Sequence, residues 1–309
     1  MAARMKMAAD AGKLEDLRKR VNRIRLLTLR LADEQLSGEY HSSFKGQGIE
    51  FDEVRPYVPG DDVRAIDWNV TARTGAPHVK RYSEERELTV IFLVDVSGSQ
   101  GCGSAARTKS ELAALAASLL ALAATENGDN VGLVDFTDRI VKYVPPRRGR
   151  TAVMRLVREI LADEGAGAGR TAIGDVLKRF GSLQKRRALV FLISDFLDTG
   201  FSHELRVAAR RHDLVAISIS DPAERALPDA GLIEVADPES GEIFLLDSSL
   251  PTVRRRFGEA AADARAALAR AFESSGIDEV ALSTGDSDDE VVAKLRRLFL
   301  LRAKRGAGR

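Results

Sequence analysis

The sequence has 309 residues, of which 44% are hydrophobic and 30% are charged, and its formal net charge at pH 7 is +1. This length can bury a substantial core, and the balanced charge excludes a protein whose overall field attracts nucleic acid. The single cysteine, Cys102, excludes an internal disulfide and fits a reducing compartment. No segment approaches the ~18 uncharged apolar residues of a membrane span, and the first residues lack the apolar centre of a secretory signal. We therefore expect a cytoplasmic protein.

Residues 1–36 are predicted to contain one amphipathic helix. Apolar residues recur there at intervals of three and four, with a threonine at the expected gap: Leu14, Leu17, Val21, Ile24, Thr28 and Leu31. The opposite face is basic: Lys13, Arg18, Lys19, Arg20, Arg23, Arg25 and Arg30. Such a face allows peripheral contact with a membrane surface or an acidic partner. The simpler interpretation is a helix that packs on its own domain with its basic face in solvent.

Residues 37–87 are predicted to form a small β-rich unit. Short alternating segments at 49–57 and 63–68 are separated by turn-forming residues. Trp68 is expected to anchor the core of this unit while its ring nitrogen finds a polar partner. Gly46 and Gly48 lack the third glycine and the preceding strand of a nucleotide-binding loop, so they predict a turn.

From residue 88 to 303 the sequence alternates between buried strands and helices. This alternation predicts an α/β domain with a mostly parallel sheet and helices on both faces. The predicted strands are 88–94, 131–136, an edge strand at 139–144 that two prolines halt, 188–194, 214–220 and 279–283. The predicted helices are 107–125, 151–161, 171–184, 202–211, 252–274 and 287–302. A β-hairpin insertion is predicted near 228–250, with strands at 232–236 and 242–246.

Oxygen-bearing side chains follow two of the predicted strands and begin one helix. Asp95, Ser97 and Ser99 follow the first buried strand, Thr171 begins a helix, and Asp195 follows the strand at 188–194. Because the carboxyl ends of parallel strands meet at one edge of a sheet, we expect these side chains to converge. Two carboxylates and three hydroxyls suit a hard divalent cation, with Mg²⁺ expected first and Mn²⁺ or Ca²⁺ as alternatives.

Three motifs resemble the metal-ion-dependent adhesion site (MIDAS) of von Willebrand factor A domains. They are DVSGS at 95–99, GRTAIGD at 169–175 and FLISDF at 191–196. The resemblance implies that the two serines ligate the ion directly and that the threonine and both aspartates hold it directly or through water. Gln100 stands where that family usually has methionine, which leaves the ligands unchanged.

Longer segments resemble the bacterial family catalogued as domain of unknown function fifty-eight, over about residues 46–302. They are GQGIEFDEVRPYVPGDDVRAIDWNVTAR, HVKRYSEERE and PPRRG. Genes of this family typically lie beside genes of MoxR-type AAA+ ATPases. The resemblance implies a von Willebrand factor A-like domain whose partner is such an ATPase. It also implies an adaptor or co-chaperone role in the assembly or maturation of other proteins.

The expected metal centre favours binding over catalysis. Two carboxylates offset the charge of a divalent ion while neutral hydroxyls donate weakly, so the ion keeps its affinity for a further carboxylate. We therefore expect a non-enzymatic, metal-dependent interaction module that docks an acidic residue of another protein.

Two alternatives to this function remain. A magnesium-dependent phosphohydrolase could use Asp95, but Ser97 stands where the general acid should be, and no Lys or His lies close by in sequence. A metal-free structural scaffold would keep the same residues for their hydrogen bonds. A Walker-type ATPase is excluded because Thr108 replaces the required glycine, and Lys109 is instead predicted on the exposed face of the following helix.

The remaining reactive or charged residues show no pattern of a site. Cys102 has no activating neighbour before Arg107, so it is expected to be inert. The histidines lack metal-ligand spacing and are expected at the surface or in turns: His41, His78, His203 and His212. Basic clusters at 147–148, 185–187, 254–256 and 304–305 lie among acids without interleaved aromatics, so we expect no nucleic-acid binding.

Overall fold

The computed structural model describes residues 2–32, 34–44, 50–83, 87–105, 107–162, 171–236 and 242–307. The turn predicted at Gly46 and Gly48 lies outside these ranges. Two compact units are present, one formed by residues 1–43 with 89–309 and the other by residues 44–88.

Helices and strands are numbered along the chain. The helices are α1 Ala2–Leu31, α2 Glu34–Phe44, α3 Trp68–Thr74, α4 Lys109–Glu126, α5 Arg150–Ala162, α6 Ile173–Leu183, α7 Ser202–Arg211, α8 Pro251–Ser274 and α9 Asp288–Ala307. The strands are β1 Glu50–Pro56, β2 His78–Ser83, β3 Thr89–Asp95, β4 Asn130–Phe136, β5 Ile140–Arg147, β6 Leu189–Ser194, β7 Asp213–Ser220, β8 Leu232–Ala236, β9 Ile243–Asp247 and β10 Asp278–Ser283.

The larger unit is built around a six-stranded sheet in the order β10-β7-β6-β3-β4-β5. Every neighbouring pair is parallel except β4 with β5, which is antiparallel. Helices α6 and α7, together with Phe272 of α8, cover one face of the sheet, and α4 contacts the opposite face. The central strand β3 is therefore buried on both sides from Val90 to Asp95. The predicted α/β class, with its mostly parallel sheet between helices, is confirmed.

The edge strand β5 was predicted to stop at residue 144, but it continues through Pro145 and Pro146 to Arg147. An edge strand tolerates proline because one side of it donates no hydrogen bonds to a neighbour. The pairing with β4 is irregular here, and a Cβ added at Gly132 would lie 3.0 Å from Pro146. Glycine thus permits the close approach of the two backbones.

Helix α1 packs on α4 and α5 within the larger unit. Ile24 is buried in this contact, and the hydroxyls of Thr28 and Ser118 lie 2.6 Å apart. Arg20 pairs with Glu111 at 3.0 Å, whereas Arg18, Lys19, Arg23, Arg25 and Arg30 are exposed. The simpler interpretation of the amphipathic segment, a helix packed on its own domain, is confirmed.

Helix α2 corrects the prediction that the β-rich unit begins at residue 37. Leu36, Tyr40 and Phe44 are spaced by four residues and are all buried, which is the pattern of a helix face. The Tyr40 hydroxyl donates a hydrogen bond of 2.8 Å to Asp129, and its ring packs edge-on against Phe299. These contacts join α2 to the larger unit.

The smaller unit contains the antiparallel pair β1 and β2 and the short helix α3. The strand-like segment predicted at 63–68 is wrong, because Val63–Ala65 forms a 3₁₀ turn and α3 begins at Trp68. Asp67 caps this helix by accepting hydrogen bonds from the backbone N–H groups of Asn69 and Val70. Trp68 is 70% exposed, so the predicted core role for it is also wrong.

The predicted hairpin insertion is present as the antiparallel strands β8 and β9. Among the described residues, no helix combines the length and apolarity that crossing a bilayer requires.

Candidate metal centre

The five residues predicted as metal ligands form one chain of contacts at the carboxyl edge of the sheet. Thr171 Oγ1 donates to Asp95 Oδ2 at 3.3 Å, and the backbone N–H of Ser97 donates to Asp95 Oδ1 at 3.0 Å. The hydroxyls of Ser97 and Ser99 lie 3.1 Å apart, and Ser99 Oγ donates to Asp195 Oδ2 at 2.8 Å. All five side chains are buried. The topology therefore gathers residues that are up to a hundred positions apart.

The oxygen separations in this chain suit a small hard cation. Around Mg²⁺, with metal–oxygen distances of about 2.1 Å, neighbouring octahedral oxygens lie about 3.0 Å apart. The contacts of 2.8, 3.1 and 3.3 Å bracket this value. The donors are two carboxylates and three hydroxyls, so the residues present fit a divalent ion. Metal binding by these residues stays a prediction.

Neighbouring parallel strands place the two aspartates together. In the pairing of β3 with β6, Val94 lies opposite Ile193, so both strands end at the same edge. Phe196 follows Asp195 with a φ of 55°, in the left-handed region that bulky residues rarely adopt. Its ring is buried and packs against Phe201 and Phe272, and this packing holds the strained turn after Asp195.

Ser194 is a further part of the centre that the sequence did not single out. Its hydroxyl donates to Asp95 Oδ2 at 2.7 Å and accepts from the backbone N–H of Phe196 at 3.0 Å. As the last residue of a buried strand it resembles a core position in sequence, so only its place beside Asp95 reveals this role.

The carboxyl of Asp95 is held in an environment that disfavours its charge. Burial first, and then the nearby charge of Asp195, raise the pKa of Asp95 to about 7. The hydrogen bonds from Ser194 and Ser97 act in the opposite direction but do not compensate. A carboxylate in this state is stabilised by a cation placed next to it.

Lys109 is the main correction to the sequence prediction. Instead of lying on an exposed helix face, it is 1% exposed, and its Nζ donates to Asp195 Oδ2 at 2.8 Å. Nζ also forms an ion pair with Glu224. Burial by itself lowers the pKa of Lys109, but the carboxylates of Asp195 and Glu224 outweigh burial and raise it. A buried ammonium thus shares an oxygen with the candidate metal centre.

The position of Lys109 follows from the start of α4. Thr108 caps this helix in a capping box with Glu111, so Lys109 is the first helical residue, at the helix end that faces the carboxyl edge of the sheet. The preceding loop folds tightly, since a Cβ added at Gly103 would lie 2.5 Å from the Arg107 carbonyl oxygen. The T-x-x-E capping signal was the sequence feature that could have placed Lys109 at this rim.

The loop after β3 carries two more side chains near the centre. Gln100 is 1% exposed, and neither atom of its side-chain amide has a hydrogen-bond partner among the described residues. Cys102 is exposed. The structure thus buries the residue that replaces the usual methionine and leaves the cysteine in solvent.

A second acidic cluster lies at the same edge, after β7. Asp221 accepts hydrogen bonds from the backbone N–H groups of Ser104 and Ala223, at 2.8 and 2.9 Å, and from the hydroxyls of Ser104 and Thr284. Burial acts to raise the pKa of Asp221, but these hydrogen bonds lower it to about 2. Glu224 connects the two clusters, because its second oxygen accepts from the Asp221 N–H at 2.9 Å.

A cavity of about 830 Å³ opens beside Asp195 and Glu224. It continues between α8, β10 and α9, and its lining includes Arg225 and Arg265. The candidate centre therefore adjoins a groove with cationic as well as acidic side chains.

No other metal-binding group stands out in the described part of the chain. Among these residues, no three His, Cys, Asp or Glu side chains gather in a metal-binding arrangement. The candidate centre has two carboxylates, and its remaining ligands are hydroxyls. The surface position expected for His212 is wrong, because its ring is 2% exposed and packs against Phe180.

Comparison with known proteins gives family-level relatives. An uncharacterized protein of Mycobacterium tuberculosis (strain ATCC 25618 / H37Rv) is 36% identical over 281 residues, which cover 89% of this chain and 86% of the relative. An uncharacterized protein of Mycobacterium avium is 34% identical over 170 residues, which cover 53% of this chain and 95% of the relative.

Two solved structures are similar to this chain at low sequence identity. The conserved hypothetical protein BatB from Bacteroides thetaiotaomicron has a TM-score of 0.45 at 16% identity, over 70% of this chain and 99% of that chain. The SpRpn10 VWA domain has a TM-score of 0.36 at 13% identity, over 68% of this chain and 94% of that chain. A family profile described as "Protein of unknown function DUF58" matches residues 53–267. With this match and the mycobacterial relatives, the chain belongs to the DUF58 family.

Proposed function

We propose that this chain is a non-enzymatic protein–protein interaction module that depends on a divalent metal ion. The ion would be held by Asp95, Ser97, Ser99, Thr171 and Asp195, and Mg²⁺ suits these ligands best. The observation that carries the proposal is the series of hydrogen-bond contacts that joins the five side chains from Thr171 to Asp195, in which the backbone N–H of Ser97 links Asp95 to the two serines. When bound, the ion would supply an electrophilic centre for the carboxylate of a partner protein.

The groove beside Asp195 supports a protein partner. An acidic side chain at the centre would be followed by further residues of its own chain, and the 830 Å³ cavity gives them room. Arg225 lines this cavity and can pair with an additional acid, whereas Arg265 there is paired with Glu279 at 3.2 Å. The partner surface is therefore proposed to be acidic.

The partner class that we propose is a MoxR-type AAA+ ATPase. This choice comes from the family, whose genes typically lie beside those of such ATPases. The chain would act as an adaptor or co-chaperone in the assembly or maturation of other proteins.

A phosphohydrolase function is less well supported than docking. Lys109 does lie at the centre, but it binds Asp195 and not Asp95, the candidate nucleophile. Ser97 still stands in the position of the missing general acid, and its hydroxyl lies 3.1 Å from that of Ser99. A phosphate-release assay with Mg²⁺ distinguishes the two functions, and we expect no release above that of the Asp95→Asn variant.

The docking proposal is tested with the MoxR-type ATPase of the same organism immobilised on a sensor surface. We expect the affinity of the chain for the ATPase to fall by about ten-fold or more when a chelator replaces Mg²⁺, because the partner carboxylate then loses its cation. The Asp195→Asn variant should lose affinity for the ATPase to the same extent. Asp221→Asn is the matched control, since it removes another buried acid from the same edge, and it should bind as the unaltered chain does. Equal affinities with Mg²⁺ and with chelator would contradict the proposal.

A further inference from the structure

Lys109 is a buried cation placed against a candidate metal ligand. Its Nζ lies 2.8 Å from Asp195 Oδ2, and that same oxygen accepts a hydrogen bond from the Ser99 hydroxyl. A side-chain ammonium and a divalent ion would both be attracted to this oxygen, and they repel each other at such short range. Lys109 and the ion therefore compete for Asp195.

Glu224 offers Lys109 a second partner. The Nζ atom is paired with Asp195 and Glu224 at once, and the Glu224 side chain is 32% exposed while that of Asp195 is 1% exposed. The other carboxylate oxygen of Glu224 is fixed by the Asp221 N–H. Lys109 can thus release Asp195 and still keep a fixed negative partner, which avoids leaving a buried ammonium unpaired.

The charges of the four groups agree with such an exchange. With all carboxyls ionised, the state that a bound cation favours, Asp95, Asp195 and Glu224 carry three negative charges and Lys109 carries one positive charge, which leaves two negative charges. One divalent ion would neutralise this group without expelling Lys109 from the protein.

We infer that Lys109 is a tethered counter-cation that occupies Asp195 in the metal-free protein and moves onto Glu224 when the ion binds. This inference rests on the proposed metal centre and deepens it, because it names what sets the affinity for the ion. As a consequence, the centre binds the divalent ion weakly in the free chain. It becomes fully occupied only when a further carboxylate, such as that of the partner, also ligates the ion.

The test is calorimetric titration of the full chain with Mn²⁺ alone, without any partner protein. The Lys109→Met variant should bind Mn²⁺ about ten-fold more tightly than the unaltered chain, because the competing charge is gone. Lys142→Met is the matched control, since it removes one lysine of an ion pair on the edge strand β5, and its affinity should not change. Damage to the fold weakens binding, so a gain in affinity cannot be a structural artefact.

Glu224→Gln tests the second half of the exchange even if Lys109→Met fails to fold. Glutamine preserves the capping hydrogen bond with Asp221 but not the charge that receives Lys109, so Mn²⁺ should bind several-fold more weakly. In the Lys109→Met background the same substitution should have little effect, because Glu224 then has no lysine to hold.

Three results would overturn the inference. They are an unchanged or weaker Mn²⁺ affinity in Lys109→Met, an unchanged affinity in Glu224→Gln, and equal effects of Glu224→Gln in both backgrounds. Equal affinities in the unaltered chain and Lys109→Met would leave the metal-dependent docking intact. If neither the unaltered chain nor Lys109→Met binds Mn²⁺, the proposal of metal-dependent docking is contradicted as well.

Discussion

Two buried aspartates at the same edge of the sheet, Asp95 after β3 and Asp221 after β7, have opposite electrostatic states. Asp221 accepts four hydrogen bonds and its pKa is lowered to about 2, whereas burial and the charge of Asp195 raise the pKa of Asp95 to about 7. Both are nearly inaccessible to solvent. The comparison teaches that an aspartate at this edge of the sheet is not a candidate metal ligand by its position alone. The hydrogen bonds to Asp221 outweigh burial and stabilise its charge without a cation, whereas those to Asp95 do not outweigh burial, so an adjacent cation would stabilise its charge.

The largest expected effect comes from neutralising Asp95. We expect Asp95→Asn to lose Mn²⁺ affinity by about 100-fold or more in a calorimetric titration, because one of two charged ligands is gone. Its metal-free form should be at least as stable as the unaltered chain at pH 8, because a neutral amide replaces a carboxyl that resists ionisation. Unchanged Mn²⁺ affinity in this variant would show that the cluster around Asp95 is not the metal centre.

The matched change at Asp221 should have the reverse outcome. Asp221→Asn is expected to lower the free energy of unfolding by about 2 kcal/mol, because charged hydrogen bonds from Ser104 and Thr284 are weakened. Urea unfolding measures this loss. Mn²⁺ affinity should change less than two-fold or so, since Asp221 reaches the centre only through Glu224. A stable variant with lost metal binding would erase the distinction between the two aspartates.

The pH dependence of stability should also differ between the two groups. The folded-state pKa of Asp95, about 7, exceeds its ordinary value of 3.8, so the folded chain binds more protons between these values. In the metal-free protein, the contribution of Asp95 to the free energy of unfolding should therefore fall as pH rises from about 5 to about 7, by at most about 1.4 kcal/mol per pH unit. Urea unfolding across this range should show a steeper slope for the unaltered chain than for Asp95→Asn. Identical slopes would contradict the raised pKa.

Asp221 contributes in the opposite direction. Its folded-state pKa of about 2 lies below 3.8, so its stabilisation is present above that ordinary value and is lost as pH falls toward 2. Between pH 5 and 7 Asp221→Asn should leave the slope unchanged.

The smallest expected effect is at Cys102, which lies in the same loop as Ser97 and Ser99 but is exposed. Cys102→Ser should change the free energy of unfolding by less than about 0.5 kcal/mol, because its side chain fills no buried space. Mn²⁺ affinity should stay the same in the calorimetric titration. A large loss of Mn²⁺ affinity would mean that metal binding depends on the exposed part of this loop as well as on its buried oxygens.

The convergence of the five candidate ligands was predictable because it depends on local signals and one topological rule. Apolar runs mark the buried strands, and parallel strands bring Asp95 and Asp195 to one edge wherever they occur in the chain. Helix α2 could also have been predicted, since Leu36, Tyr40 and Phe44 follow a helical spacing. Trp68 shows the limit of such reasoning, because a large apolar residue predicts burial only on average.

The sequence by itself determined most strands and helices of the larger unit and the meeting of Asp95, Ser97, Ser99, Thr171 and Asp195 at the carboxyl edge, since both follow from periodicity and from parallel topology. Only the tertiary structure decided the electrostatics of that edge. The pKa of a buried carboxyl depends on its burial, on neighbouring charges and on the donors around it. Sequence spacing does not bring together the residues that decide this here, which are Ser194 at the end of β6, Lys109 at the start of α4 and the donors to Asp221. Burial then magnifies each of these contacts because the interior screens charge poorly.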